Sequence, residues 1–462
     1  MDTDEDTSAL NVDEIYANGA DDDNSTHRQI ISADQLDIEA YINLYSGRTR
    51  ISRLLFIASN CGDNLTMQLE ALRMAFDEIK KGEDTILMRE VVKKINGRLG
   101  SNYTLDEAWC DAIVKKADLK KEKLDAELTS YRDHGSIPHN CDLGLEPLDA
   151  GTDPSNQNKP VTNLIKESIR MGYSDFGDFY YAHGQLGDAF KNYVRTRDYC
   201  TTSKHIVYMC MSAILVSIEM GQFPHISSYV SKAEQSVESL DTIATAKLRC
   251  AAGLSNLFAK KYKLAARKFI ETSPELGSHY NEVISSQDVA MYGGLCALAT
   301  FDRAELKACI PSKVIDNTVF RNFLDRYALC LEYLGNLKSN LLLDIHLHSH
   351  VEALYDQIRQ KALIQYTLPF VSVDLNMMAN AFKTTVAGLQ KELETLITDN
   401  QIQARIDSHS KVLYARHADL RNATFQRVLE TGRAFDRDLQ SMFLRSSIIK
   451  HESLHRSRSR KL

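Results

Sequence analysis

The densest set of metal-type donors is the run Asp344-Ile345-His346-Leu347-His348-Ser349-His350, which places three imidazoles and a carboxylate in seven residues. Zinc takes such donors when three or four of them converge on one tetrahedron. On a helix, residues two apart point about 200° away from each other and cannot share an ion. The expected reading is therefore the polar face of an amphipathic helix, with no metal site. The nine Cys, at 61, 110, 141, 200, 210, 250, 296, 309 and 330, include no C-x-x-C pair. They fit neither a zinc ribbon nor a disulfide framework, and buried reduced thiols are expected. The chain has no G-x-G-x-x-G, no G-x-x-x-x-G-K-[ST] and no G-x-S-x-G. No catalytic residue, cofactor site or enzyme activity is expected, so the chemistry of this chain should be that of contact.

The elements that would make those contacts follow from composition and periodicity. Among 462 residues, 44% are hydrophobic and 25% charged, with only 21 Gly and 8 Pro, which predicts a mostly helical globular protein of about three domains. No apolar run reaches the roughly 18 to 20 residues of a membrane helix, and the longest, Val207 to Ile218, is broken by Ser212 and Ser217. The N-terminus lacks a basic-then-apolar leader, and an intracellular soluble protein is expected. Net charge is −7, but residues 1–23 carry nine acids and no Lys or Arg, while residues 450–462 sum to +4. The body is thus near neutral and gives no electrostatic case for nucleic acid as a partner.

Along the chain, an acidic tail (1–28) precedes a helical region (29–131) with apolar steps of three and four, such as Ile51, Leu54, Leu55 and Ala58. Four of the eight prolines fall between 138 and 160, and 132–162 reads as a Pro/Gly-rich flexible insertion. A repeat follows over 163–319. Gly177, Tyr180, Gly184, Ala189 and Tyr193 stand at tetratricopeptide offsets, Gly253, Ala265 and Phe269 recur 76 residues later, and Gly221 marks a weaker unit between. A period near 38 predicts a helical solenoid.

Residues 320–417 continue as helices, through Leu341, Leu347, Val351, Leu354 and Ile358, and close in a winged helix over 366–417. In that module Asp374 caps one helix, Thr384 or Thr385 caps a second, and a hairpin pairs 402–406 with 412–414. The hairpin residues Arg405, Ile406, Val412, Leu413 and Tyr414 are candidate partner contacts, since a short exposed edge invites strand addition. The second winged-helix segment carries Lys391 against Glu392, Glu394 and Asp399, which disfavours DNA. Finally, 418–449 forms a helix on which Phe425, Val428, Gly432, Phe435, Leu439 and Met442 step by 3 and 4 as a heptad seam that wants a partner. The tail at 450–462 is Arg/Ser-rich. The fold class is all-α with a small β-hairpin.

A helical solenoid leading into a winged helix and a C-terminal helix is the layout of PCI-domain proteins. The strings DIEAYINLYSGRTRISRLLFIA (Asp37 to Ala58), SIRMGYSDFGDFYYAHGQLGDAFKNYVRTRDYCTTSKHI (Ser168 to Ile206) and QARIDSHSKVLYARH (Gln403 to His417) resemble the subunit 1 family of the COP nine signalosome, in its plant form. The resemblance covers most of 29–462. It implies a non-catalytic scaffold, in the nucleus and cytoplasm, of a complex that removes a ubiquitin-like modifier from cullins, regulates cullin-RING ubiquitin ligases and in plants represses photomorphogenesis. Other signalosome subunits, met through PCI-PCI and C-terminal helix contacts, are the implied partners. The H-x-H metalloprotease motif of that complex's catalytic subunit fails here, because Asp356 and Arg359 occupy its Ser and Asp positions. Against the family pattern, 133–161 looks inserted, and Arg321-Asn322-Phe323-Leu324 joins Asp325-Arg326-Tyr327 with less sequence than relatives carry. The alternatives are the equivalent subunit of the proteasome lid and, from another class, a winged-helix nucleic-acid-binding protein.

Overall fold

The computed structural model describes residues 36–62, 64–135, 154–236, 241–309, 327–416 and 420–459. The expected acidic tail, the centre of the insertion and the junction at 321–326 lie outside them. Five helices open the described chain: α1 (Ile38–Ile42), α2 (Gly47–Asn60), α3 (Leu65–Ile79), α4 (Thr85–Ile95) and α5 (Glu107–Gly135). Local chemistry sets their starts: the Asp37 carboxylate accepts from the Glu39 and Ala40 amides, Asn64 from Met67, and Asp84 from Ile86 and Leu87. The apolar steps bury Leu54, Ile57, Leu72, Ala75, Phe76, Val91 and Ile95 in a core whose buried members all come from residues 36–95.

Helix α6 (Pro154–Ala182) begins inside the stretch expected to be linker, and α5 extends to Gly135, so both ends of 132–162 are helical. Pro154 stands at the first helical position, where a missing N–H is no loss. Helices α7 (Leu186–Arg195), α8 (Ser203–Glu219), α9 (Phe223–Ser236), α10 (Thr242–Phe258), α11 (Tyr262–Ile270), α12 (Ser286–Thr300) and α13 (Arg303–Cys309) follow, and from α6 to α12 each packs against its chain neighbours. A Cβ added to Gly177 would enter the Tyr193 ring, and one on Gly253 would lie 2.6 Å from the Phe269 ring. In both units the glycine of one helix is therefore the seat of the aromatic on the next. In the middle unit Ile214, Ile226 and Val230 are all buried in the shared core. The turn also repeats: Gly184, Gly221 and Lys260 all take positive φ, and the next amides donate back to Tyr180, Ser217 and Asn256 carbonyls at 2.9, 2.8 and 2.9 Å.

Helices α14 (Tyr327–Leu341) and α15 (Val351–Thr367) lead to β1 (Ser372–Asp374), α16 (Leu375–Ala381), α17 (Val386–Thr398), β2 (Ala404–Asp407) and β3 (Val412–Ala415), and α18 (Leu420–Ser459) ends the described chain. Asp374 and Thr385 cap α16 and α17, accepting from the amides of Asn376 at 2.8 Å and Gly388 at 3.2 Å. One buried core runs from Met209 in α8 to Leu413 in β3, so the solenoid from α8 onward and the winged helix share a single packed body.

Two expectations are corrected here. Residues 342–350 are turns and not a continuation of helix, because the Asp344 carboxylate captures the amides of His346 and Leu347, each at 2.9 Å. The sheet has three strands in the order β1-β3-β2, not two, since Ser372–Asp374 pairs antiparallel with Val412–Tyr414.

Candidate interaction surfaces

The sheet order decides which strand can meet a partner. Val373 and Ile406 both face Leu413 across the ladders, and Arg405 and Ser372 both face Tyr414. Val412, Leu413 and Tyr414 therefore have neighbours on both sides, and the expectation of a free edge on that run is corrected. The free edges are β2 and β1. On β2, Arg405 is exposed with its guanidinium 5.4 Å from the Tyr414 ring centroid, and Ile406 is half-buried. Asp407 ends the strand by accepting from the His409 and Ser410 amides and from the Ser410 hydroxyl, the last at 2.6 Å.

The β1 edge was not anticipated. Beside it Leu368, Phe370, Val371 and Met377 are exposed, a concentration of large apolar groups that the rest of the winged helix lacks. The legible signal was the alternation Val371-Ser372-Val373-Asp374 after Pro369, which suits an edge strand.

Helix α18 spans 40 residues, about 60 Å at 1.5 Å per residue. Phe425, Val428, Phe435 and Met442 are 57%, 63%, 63% and 65% exposed. Leu439 is partly buried, while Phe443, Leu444, Ile448 and Ile449 extend the apolar surface around and beyond the seam. A Cβ on Gly432 would touch nothing within 4 Å.

The three histidines of the metal-like run go to three different places. His348 Nδ1 meets the Leu342 carbonyl at 2.6 Å, and His350 Nδ1 meets the Tyr262 hydroxyl at 3.2 Å. His346 packs between the Phe223 and Tyr292 rings, with centroids 6.2 and 6.4 Å away. Among the described residues no three or more His, Cys, Asp or Glu side chains come together as a metal ion would need.

Asp344 instead serves a buried ionic hub that sequence spacing did not reveal. Arg53, on α2, is 1% exposed; its Nη1 donates to Asp344 Oδ2 at 2.7 Å and its Nη2 to Asp288 Oδ2 at 3.0 Å. The Tyr45 hydroxyl donates to Asp288 at 2.7 Å and the Tyr292 hydroxyl to Asp344 at 2.6 Å. The Tyr45 ring lies 4.0 Å below the guanidinium. One cation thus faces two carboxylates, and they divide its influence. Burial pushes the Asp288 carboxyl up against the pull of Arg53, whereas at Asp344 burial is outweighed by Arg53, His346 and Tyr292, and the carboxyl sits at about 2. Burial, helped by Arg53, lowers the His346 imidazole to about 4.

Comparison with known proteins bears on these surfaces. The family described as PCI domain matches residues 327–417, and the family described as 26S proteasome subunit RPN7 matches 155–309. The COP9 signalosome complex subunit 1 of Arabidopsis thaliana is 61% identical over 100% of both chains. The chain belongs to the COP9 signalosome subunit 1 family. Subunit 1b of Drosophila melanogaster is 34% identical over 96% of this chain and 90% of its own, and subunit 1 of Emericella nidulans 34% identical over 91% and 84%.

For a chain of this family the two matched segments fall on the solenoid and on the winged helix with its preceding helices. A further cleft of about 460 Å³ opens on the solenoid between α6 and α8, lined by Arg170, Asp175, Asp178, Lys204, His205 and Tyr208. Its charges are of both signs, with Glu167 already holding Arg170 at 2.5 Å and His205 at 3.4 Å.

Proposed function

We propose that this chain is a non-catalytic scaffold of a signalosome, joined to other subunits by its winged-helix edges and by α18. The complex would remove a ubiquitin-like modifier from cullins and so regulate cullin-RING ubiquitin ligases, acting in nucleus and cytoplasm and, in a plant, repressing photomorphogenesis. The observation that carries the reading is α18: a helix of 40 residues with Phe425, Val428, Phe435 and Met442 on one seam and open to solvent. Burying such side chains contributes roughly 1.5 to 3 kcal/mol each, enough for a helix bundle to hold subunits together. The β2 and β1 edges offer backbone groups for strand addition on opposite sides of one sheet, which would allow two neighbours at once.

The RPN7 match over 155–309 supports a second reading, a subunit of the proteasome lid. Pulldown of the tagged full chain separates the two, since a signalosome brings cullins and a lid brings 20S-type proteases. Truncation after Ala418 tests the bundling role: the chain should stay folded yet leave the complex. Entry at wild-type yield would refute that role.

A further inference from the structure

The N-terminal arm is joined to the rest of the chain in two chemically different ways. Helix α5 carries an apolar joint, with Trp109 against the arm's core and Leu124 and Leu128 against Ile165, Ile169 and Tyr173 of α6. The second joint, made by Tyr41 to Arg53, is polar. Ser46 N donates to the Asn281 carbonyl at 3.1 Å, Thr49 Oγ1 to the Glu282 carbonyl at 2.5 Å, and Arg48 Nε to Glu219 at 3.1 Å. Arg53 reaches Asp288 and Asp344 as described, and Tyr41 donates to Asp344 at 3.3 Å. Among the described residues, Leu343 is the one hydrophobic side chain from beyond α5 packed against the arm's core.

We propose that α1 to α4 form a separately cored arm strapped to α12 and the α14–α15 turn by this ion-paired clasp, and that the clasp opens while both cores stay packed, leaving the arm to swing on α5. Opening returns Arg48, Arg53, Glu219, Asp288 and Asp344 to water, which solvates them well, so buried ion pairs hold an interface weakly for the area they cover. Opening either core would expose aliphatic and aromatic side chains, which water does not compensate. Arg53 Nε, buried with no acceptor, leaves the closed hub short of one hydrogen bond. Polar contacts between domains of one chain are those that permit relative motion.

Hydrogen–deuterium exchange on the full chain tests this, comparing wild type with Arg48→Ala/Thr49→Val, which removes two clasp contacts together with the Arg48–Asp84 pair inside the arm and leaves Arg53 paired. Amides of the first turns of α2, of 281–288 and of 342–350 should exchange roughly tenfold faster, with 67–79 and 248–269 unchanged. Equal acceleration in 67–79 and 248–269 would show that arm and solenoid unfold as one unit and would overturn the proposal, as would no acceleration anywhere. Arg53→Met should give the same pattern more strongly; should it fail to fold, the double variant still decides.

Discussion

The Arg53 hub and helix α18 invert the usual partition in opposite senses. At the hub, charge is inside: a guanidinium 1% exposed lies between two carboxylates, to which the Tyr45 and Tyr292 hydroxyls also donate. Along α18, oil is outside: Phe425, Phe435, Met442 and Phe443 face solvent. The first inversion is met from within, because the buried guanidinium and both carboxylates are paired inside the chain, although Arg53 Nε finds no acceptor. The second is incomplete, because nothing in the described chain covers the apolar face. A buried polar network tells how the parts of one chain are held, while an exposed apolar seam tells where another chain belongs.

Breaking the hub should have the largest effect. Arg53→Met leaves two carboxylates facing each other without a cation and should destabilise the chain by about 3 to 5 kcal/mol, read as a lower denaturant midpoint. An effect under about 1 kcal/mol would mean that the hub is solvated in solution. Next comes a matched pair of glycine substitutions. Gly253→Ala forces a methyl to 2.6 Å from the Phe269 ring and should cost about 1 to 3 kcal/mol. Gly432→Ala, in open space on α18, should instead raise helicity by about 1 kcal/mol at that position, seen by circular dichroism. The same chemical change thus takes opposite signs in a packed region and an unpacked one.

The pH dependence sharpens the hub from another side. His346 has its folded pKa lowered from 6.5 to about 4, so unfolding takes up a proton between those values. Stability should therefore be complete above pH 6.5 and fall as pH drops toward 4. The shift alone corresponds to about 3 kcal/mol, but the ring keeps some solvent contact, so a loss nearer 2 is expected. Denaturant midpoints at the two pH limits check this, and His346→Asn should flatten the slope. The smallest effect is expected from Phe435→Ala in the isolated chain, within about 0.5 kcal/mol of wild type, since that side chain is already in water.

What was legible in the sequence was local. The spacing of Gly177 to Tyr193 and of Gly253 to Phe269 follows from two helices and a short turn, and the Asp374 and Thr385 caps act on amides two and three residues away. The hub was not legible, because Arg53 meets partners 235 and 291 residues further along, and no periodicity reports on that distance. The 342–350 run misled for a related reason. Its apolar positions kept helical spacing, but Asp344 was recruited by Arg53 and by its own following amides, and those demands ended the helix. Strand β1 was missed because three residues are too few to show a period, although their pairing with β3 sets which edges are free.

The central claim is that the exposed seam of α18 is a contact between subunits and not part of this chain's own fold. Tagged Phe435→Ser/Met442→Ser should show the unfolding midpoint of wild type and fail to co-purify with the other signalosome subunits. Co-purification at wild-type yield with an unchanged midpoint would contradict the claim, and a large fall in the midpoint would show that the seam belongs to the chain's own core.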